Sequence, residues 1–154
     1  MANILTKDLK EILELTHKEV FKVFVWTSDE DVWKMREYWT RPVMDKDWFN
    51  RDILRGDCDD FMLEVYYRLR QNHRFPKNML RLCVVATEPR VEHYDHAVLA
   101  IEYLDDDGVV DYLICDCNYP TPVRIKDLRK RGYKNFSMSQ VGQPITEPWE
   151  KIYE

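Results

Sequence analysis

No stretch of this 154-residue sequence approaches the roughly 18 uninterrupted apolar residues of a membrane span, so no transmembrane helix is expected. Basic residues are scattered: no block is longer than Arg129-Lys130-Arg131, and the net charge is -5. A nucleic-acid face draws its affinity from clustered positive charge, so nucleic acid is not an expected partner. The first ten residues lack the basic start and apolar run of an export leader, which makes the cytoplasm the expected compartment. Glycine is scarce, at four residues, and cysteine is limited to positions 58, 83, 115 and 117. A chain of this size does not need a disulfide framework, and reduced thiols are the simpler expectation. Repeats and low-complexity tracts are absent too.

What is present suits one compact α+β domain over residues 1–154. Hydrophobic residues make up 45% of the chain, and five Trp and nine Tyr can fill a core. Thr6, an acidic residue and then Leu9, Ile12, Leu13, Val20 and Phe24 predict a capped amphipathic helix. Ser28 and Asp31 resemble a capping box for a second helix through Val32, Trp33, Met35 and Trp39, with Pro42 at or beyond its end. Residues 43–55 are polar and aromatic and read as irregular. Helical spacing returns at Cys58, Phe61 or Met62, Val65 and Leu69, and Asn72 to Pro76 supplies a stop. Residues 81–87, 96–104 and 109–117 read as strands, the last two joined at Asp105-Asp106-Asp107-Gly108, a hairpin signal. The proline-containing tail from 120 is expected to wrap the sheet. Helices followed by strands predict an antiparallel sheet against which the N-terminal helices pack.

The chemistry concentrates at Arg55-Gly56-Asp57-Cys58-Asp59-Asp60-Phe61. Asp57 suits the N-cap and Asp60 the third helical position, which puts Cys58 in the first turn. There, unpaired N–H groups and the helix dipole favour a thiolate and could receive an oxyanion. The same spacing also suits a small buried cysteine beside aspartates that only cap. Cys83, Cys115 and Cys117 lie in apolar strand candidates and are expected to be structural.

A nucleophilic thiol needs a base. His17 and His73, in a helix and at a helix end, are expected at the surface. His96 runs directly into Ala-Val-Leu-Ala-Ile, so its backbone belongs to a rigid element, as a base requires. His93, in the polar approach, is the reserve. If Asp106-Asp107-Gly108 is a three-residue loop with Gly108 left-handed, residue 105 pairs with 109 and paired numbers sum to about 214. His96 then lies opposite Asn118 and diagonal to Asp116, while Asp111 pairs with Tyr103, roughly 20 Å from His96. Asp116 is therefore the preferred partner for the imidazole, whereas an even-length loop would turn it to the other face. Trp39 or Trp48 could line an acyl cleft or sit in the core.

These residues together carry a resemblance. Gly56-Asp57-Cys58-Asp59-Asp60-Phe61 resembles the Gly-Asp-Cys-Glu-Asp-Tyr motif of the bacterial transglutaminase-like cysteine peptidases. His96-Ala97-Val98-Leu99 is similar to that family's His-x-Val-Leu, Ile114-Cys115-Asp116-Cys117-Asn118 is similar to its Leu-Asp-Asn, and Trp39-Thr40-Arg41-Pro42 is like its Trp-x-x-Pro. The likeness spans about residues 33–118. It implies a papain-like core whose Cys58 helix packs on a sheet bearing His96 and Asp116, and hydrolysis of a protein or peptide substrate through an acyl-enzyme. It also implies a calcium ion held by Asp57 and Asp59. Three carboxylates beside a thiol oppose thiolate formation, and a hard cation would cancel that charge; plain capping is the alternative. Asp59 stands where the family more often has Glu, and Phe61 lacks the hydroxyl of the family's Tyr. The same acyl-enzyme chemistry would also serve a transamidase, deamidase or cell-wall amidase, and the fold alone would serve a non-catalytic binding protein.

Overall fold

The computed structural model describes residues 3–27, 42, 44–88, 95–139 and 150–153. The expected helix from Ser28 to Trp39, the Trp39-Thr40-Arg41 segment and His93 lie outside these residues.

Thr6 caps the first helix, α1 (Lys7–Val23), its side-chain oxygen accepting from the Leu9 N–H at 3.2 Å. A single buried stripe of Leu13, His17 and Val20 faces inward at i, i+4 and i+7. His17 is therefore not at the surface as expected: it occupies the apolar stripe and is fully buried. Extended backbone follows at once as β1 (Phe24–Trp26), and residues 43–55 are less irregular than their composition suggests. They form β2 (Asp45–Lys46) and β3 (Asp52–Gly56), with β3 parallel to β1 and antiparallel to β2 in a small three-stranded sheet. The turn between β2 and β3 leaves Trp48 98% exposed, so Trp48 is not a core residue.

β3 delivers the chain to α2 (Cys58–Gln71), which buries Cys58, Phe61, Met62, Val65 and Leu69 and stops at Asn72. A short 3-10 turn at Lys77–Met79 leads into β4 (Leu80–Ala86) and then β5 (His96–Leu104) and β6 (Val110–Cys115). The tail extends the sheet as well as covering it: β7 (Val123–Arg124), α3 (Ile125–Lys130), β8 (Lys134–Met138) and β9 (Glu150–Tyr153) complete a six-stranded sheet in the order β7-β6-β5-β4-β8-β9. All its pairings are antiparallel.

One face of this sheet, with Leu82, Val84, Ala97, Leu99, Ile101, Leu113 and Cys115, packs against α2. The opposite face, with Cys83, Val85, Val98, Ala100 and Ile114, packs against Ile125 and Leu128 of α3, Tyr133 and Phe136. Cys83 and Cys115 are fully buried, one on each face. The result is a mixed helix-and-sheet fold with the cysteine-bearing helix on an antiparallel sheet. No helix among the described residues is long and apolar enough to cross a membrane.

The β5–β6 register is the feature that positions the site. Leu99 pairs with Cys115, Ile101 with Leu113 and Tyr103 with Asp111. Gly108 has φ +76°, its N–H donates to the Asp105 carbonyl at 3.0 Å, and Asp105 Oδ1 accepts from the N–H groups of Asp107 and Val109, both at 2.9 Å. The turn is the three-residue form with a left-handed third residue. A side chain at 108 would meet nothing within 4 Å, so replacement is limited by backbone conformation alone. Gly108→Val is expected to lower the unfolding free energy by about 1–2 kcal/mol and Gly108→Asn by much less, since Asn tolerates the left-handed region. Urea denaturation of the two variants checks this; equal losses would place the cost elsewhere.

Candidate active site

Three elements end at one point. α2 begins with Cys58 against one face of the sheet, while β5 begins with His96 and β6 runs out into Asp116. By strand alternation His96 continues the face of Val98 and Ala100, and Asp116 that of Ile114, so the two share a face. The chain turns just beyond, where the Tyr119 N–H donates to the Asp116 carbonyl at 3.1 Å. Cys58 is 3% exposed, His96 6% and Asp116 fully buried.

His96 Nε2 is 2.7 Å from Asp116 Oδ1, donating to the carboxylate. That leaves Nδ1 free of the carboxylate, and the neighbouring Cys58 thiol is among the groups that favour the charged imidazole. The Cys58 sulfur accepts from the Ala97 N–H at 3.4 Å, which ties the nucleophile candidate to the residue after the base candidate. Burial alone would push the His96 imidazole down. The hydrogen bond to Asp116, the neighbouring Cys58 and the charges of both outweigh this and raise it from 6.5 to about 10. Burial would likewise raise the Asp116 carboxyl, but hydrogen bonds from His96, Tyr133 and the Asn118 N–H hold it below its ordinary value. Asp111 is engaged elsewhere, accepting from the Tyr103 hydroxyl at 3.3 Å.

Two further side chains join this cluster that sequence reasoning missed or misplaced. The Tyr133 hydroxyl donates to Asp116 Oδ2 at 2.6 Å. Nothing local names the partner of Tyr133, because that partner lies on another element. His17 Nε2 lies 2.7 Å from the Tyr119 carbonyl, so α1 holds the turn after Asp116. The signal for His17 was present in its i, i+4, i+7 spacing with Leu13 and Val20. His73 is exposed, as expected.

At the start of α2, the Asp57 N–H donates to Asp60 Oδ2 at 3.1 Å. The reciprocal arm from the Asp60 N–H is arranged as in a capping box but makes no side-chain hydrogen bond. Gly56 is required here, because a Cβ would fall 2.1 Å from Asp60 Oδ2. Asp57 and Asp59 are both buried, and with Cys58 they offer ligand atoms within 4.8 Å of one another. Neither Asp57 carboxylate oxygen has a hydrogen-bond partner. A buried carboxylate in that state is unfavourable by several kcal/mol, and a hard cation held by oxygen ligands relieves it. The donor set therefore fits the calcium ion that the resemblance implies.

A thiol at a helix start, an imidazole beside it and a buried carboxylate bonded to that imidazole define the arrangement of a thiol-dependent hydrolase. A family model, bacterial transglutaminase-like cysteine proteinase, matches residues 2–134, and the chain belongs to that family. Its fold is similar to solved structures of LapG from Legionella pneumophila. One has a TM-score of 0.55 at 18% identity, covering 90% of this chain and 73% of that one. A second, of EGTA-treated LapG, has a TM-score of 0.53 at 16% identity, covering 96% and 74%. No curated protein matches the sequence.

The two titration shifts carry a stability prediction. Asp116, lowered in the fold, contributes stability above its unfolded value of 3.8 that is lost as pH falls. His96, raised, contributes fully below 6.5 and loses its contribution as pH rises through about 10. The pair is thus expected to stabilise the fold most between about pH 4 and 6.5, with a decline of at most about 1.4 kcal/mol per pH unit above it. Urea unfolding of Asp116→Asn compared with the parent between pH 6 and pH 10 checks this: the difference between them should shrink as pH rises.

Proposed function

We propose that this single domain hydrolyses peptide bonds through an acyl-enzyme on Cys58, with His96 as acid and base and Asp116 orienting the imidazole. The observation that carries the reading is the convergence of three buried side chains: His96 Nε2 lies 2.7 Å from Asp116 Oδ1, and the Cys58 sulfur accepts from the N–H of Ala97, the residue next to His96. In this mechanism the Cys58 thiolate attacks the scissile carbonyl carbon, and the carbonyl electron pair moves to oxygen. The N–H groups at the start of α2 receive that oxyanion. The tetrahedral adduct collapses, the C–N bond breaks, and the His96 imidazolium gives its proton to the departing amine. Water then attacks the thioester as His96 takes its proton, and the acid leaves with the thiolate restored. Asp116 keeps the imidazole in one orientation through both steps and favours its charged form.

Asp57 and Asp59 are the residues that would hold calcium. When bound, the ion neutralises the carboxylates next to Cys58 and fixes the loop that sets its rotamer. The EGTA treatment of LapG is consistent with a divalent cation mattering in a protein of similar fold.

Cys58→Ala should reduce hydrolysis by a factor of about 10⁴ or more while leaving the thermal midpoint nearly unchanged. Iodoacetamide at neutral pH should alkylate Cys58 well ahead of Cys83 and Cys115, whose thiols burial pushes up. Peptide mass mapping reads the difference, and uniform or absent labelling would count heavily against the mechanism. The cation is tested without activity. Calcium at a hundredfold excess over Kd should stabilise the protein by roughly 2.7 kcal/mol, EGTA should reverse this, and Asp57→Asn should abolish the response. A thermal midpoint indifferent to calcium would exclude the site.

A further inference from the structure

Resting on that reading of Cys58, His96 and Asp116, we propose that Tyr133 is a positioning residue that fixes the Asp116 carboxylate so that Oδ1, and not Oδ2, faces His96. The two oxygens have different partners. Oδ1 accepts from His96 Nε2 at 2.7 Å and from the Asn118 N–H at 2.9 Å, and Oδ2 accepts the Tyr133 hydroxyl at 2.6 Å. A carboxylate held at both ends cannot rotate about its Cβ–Cγ bond without breaking a buried, charge-assisted hydrogen bond. Tyr133 also meets the imidazole itself: its ring stands edge-on to His96, centroids 6.1 Å apart and planes at 88°. One side chain thus contacts both the base and its partner without lying in the path from Cys58 to His96.

The local sequence explains how Tyr133 is presented there. α3 ends in a Schellman motif. Gly132 takes φ +103°, its N–H donates to the Arg129 carbonyl at 3.1 Å, and the Tyr133 N–H donates to the Leu128 carbonyl at 3.1 Å. Leu128 and Tyr133 lie in the same apolar cluster, the contact that accompanies this motif. The aromatic ring is stacked on Phe136 at 6.4 Å and 28°. Tyr133 is 7% exposed, and Asn118 Nδ2 donates to its hydroxyl at 3.4 Å. Burial and the Asp116 charge push its phenol far up, which favours the protonated hydroxyl that donates to the carboxylate.

The groups facing Asp116 are few enough for a clean measurement. They are His96 on β5, Cys115 on β6, Cys117 and Asn118 in the following turn, Tyr133, and His17 on α1 at longer range, while Cys58 acts on His96 itself. The full chain, labelled with ¹⁵N-histidine and saturated with calcium, is titrated by NMR to find where His96 loses its proton. In the parent that should occur near pH 10. Asp116→Asn should move it down the most. Tyr133→Phe keeps the ring against His96 and Phe136 but frees the carboxylate, and should move it part-way down, by at least half a unit. 4-Aminophenylalanine at position 133, which restores a donor, should recover the parent value. With a cleaved peptide, Tyr133→Phe should lower kcat about tenfold with KM within twofold, the size of one lost hydrogen bond to a charged group.

A purely structural tyrosine would change the thermal midpoint and leave His96 alone. If His96 is unmoved or raised in Tyr133→Phe, or lowered with the amino analogue, the positioning role falls while the reading of Asp116 stands. If Asp116→Asn itself leaves His96 unmoved, the underlying site reading falls first. Should Tyr133→Phe not fold, the amino analogue alone decides by matching or missing the parent.

Discussion

The register of the β5–β6 hairpin is the constraint on which the site depends. Side chains alternate faces along a strand, so a slip of one residue would carry His96 or Asp116 to the opposite side of the sheet. Four features suppress that slip. Gly108 provides the left-handed residue, the Asp105 carboxylate caps two N–H groups of the turn, and the Tyr103 hydroxyl bonds cross-strand to Asp111. The fourth is burial: Leu99, Ile101 and Leu113 on one face and Val98, Ala100 and Ile114 on the other have no solvent-facing alternative. The geometry at His96 is therefore an outcome of a turn that begins nine residues away. The catalytic candidates need no strain of their own to meet.

The start of α2 is built on the opposite logic. Here the sequence places Asp57 and Asp59 in the interior on either side of a nucleophile candidate, where charge is costly. Gly56 is the only residue type compatible with the close approach of Asp60, so the turn is committed to this shape. Such local unfavourable electrostatics persist when the surroundings over-determine them, and they concentrate at functional positions. The hydrophobic underside of α2, from Phe61 to Leu69, supplies that over-determination.

Legibility divided along the same line. α1, α2, β5 and the hairpin were readable because their signals are local: caps, helical spacing and turn residues all agree. β3 was not, since its burial does not alternate cleanly and its partner β1 lies about thirty residues earlier, a pairing no local pattern announces. The tail read as a wrap because its prolines suggested irregular chain, yet β8 pairs with β4 inside the main sheet. Of the site, Cys58, His96 and Asp116 could be reached by helix-start chemistry and hairpin arithmetic. His17 is legible only in its spacing with Leu13 and Val20, because its residue type points to the surface. Tyr133 had only the Gly132-Tyr133 helix stop to mark it, and that signals a turn without naming its partner.

The two buried histidines show how environment, and not residue type, sets the outcome. His96 meets a carboxylate and a thiol, and the charged form wins against burial. His17 meets a backbone carbonyl and the rings of Phe21 and Phe61, and burial wins, lowering its affinity for a proton. A neutral His17 donates through Nε2 to Tyr119 and leaves Nδ1 buried without a partner. That deficit is tolerated because the same ring joins α1 to α2 through Phe61 and joins both to the turn that follows Asp116. The base candidate favours its charged form because a buried carboxylate and a thiol lie beside it. The carboxylate is held still from two sides, by Tyr133 on one layer and by the turn that His17 secures on the other.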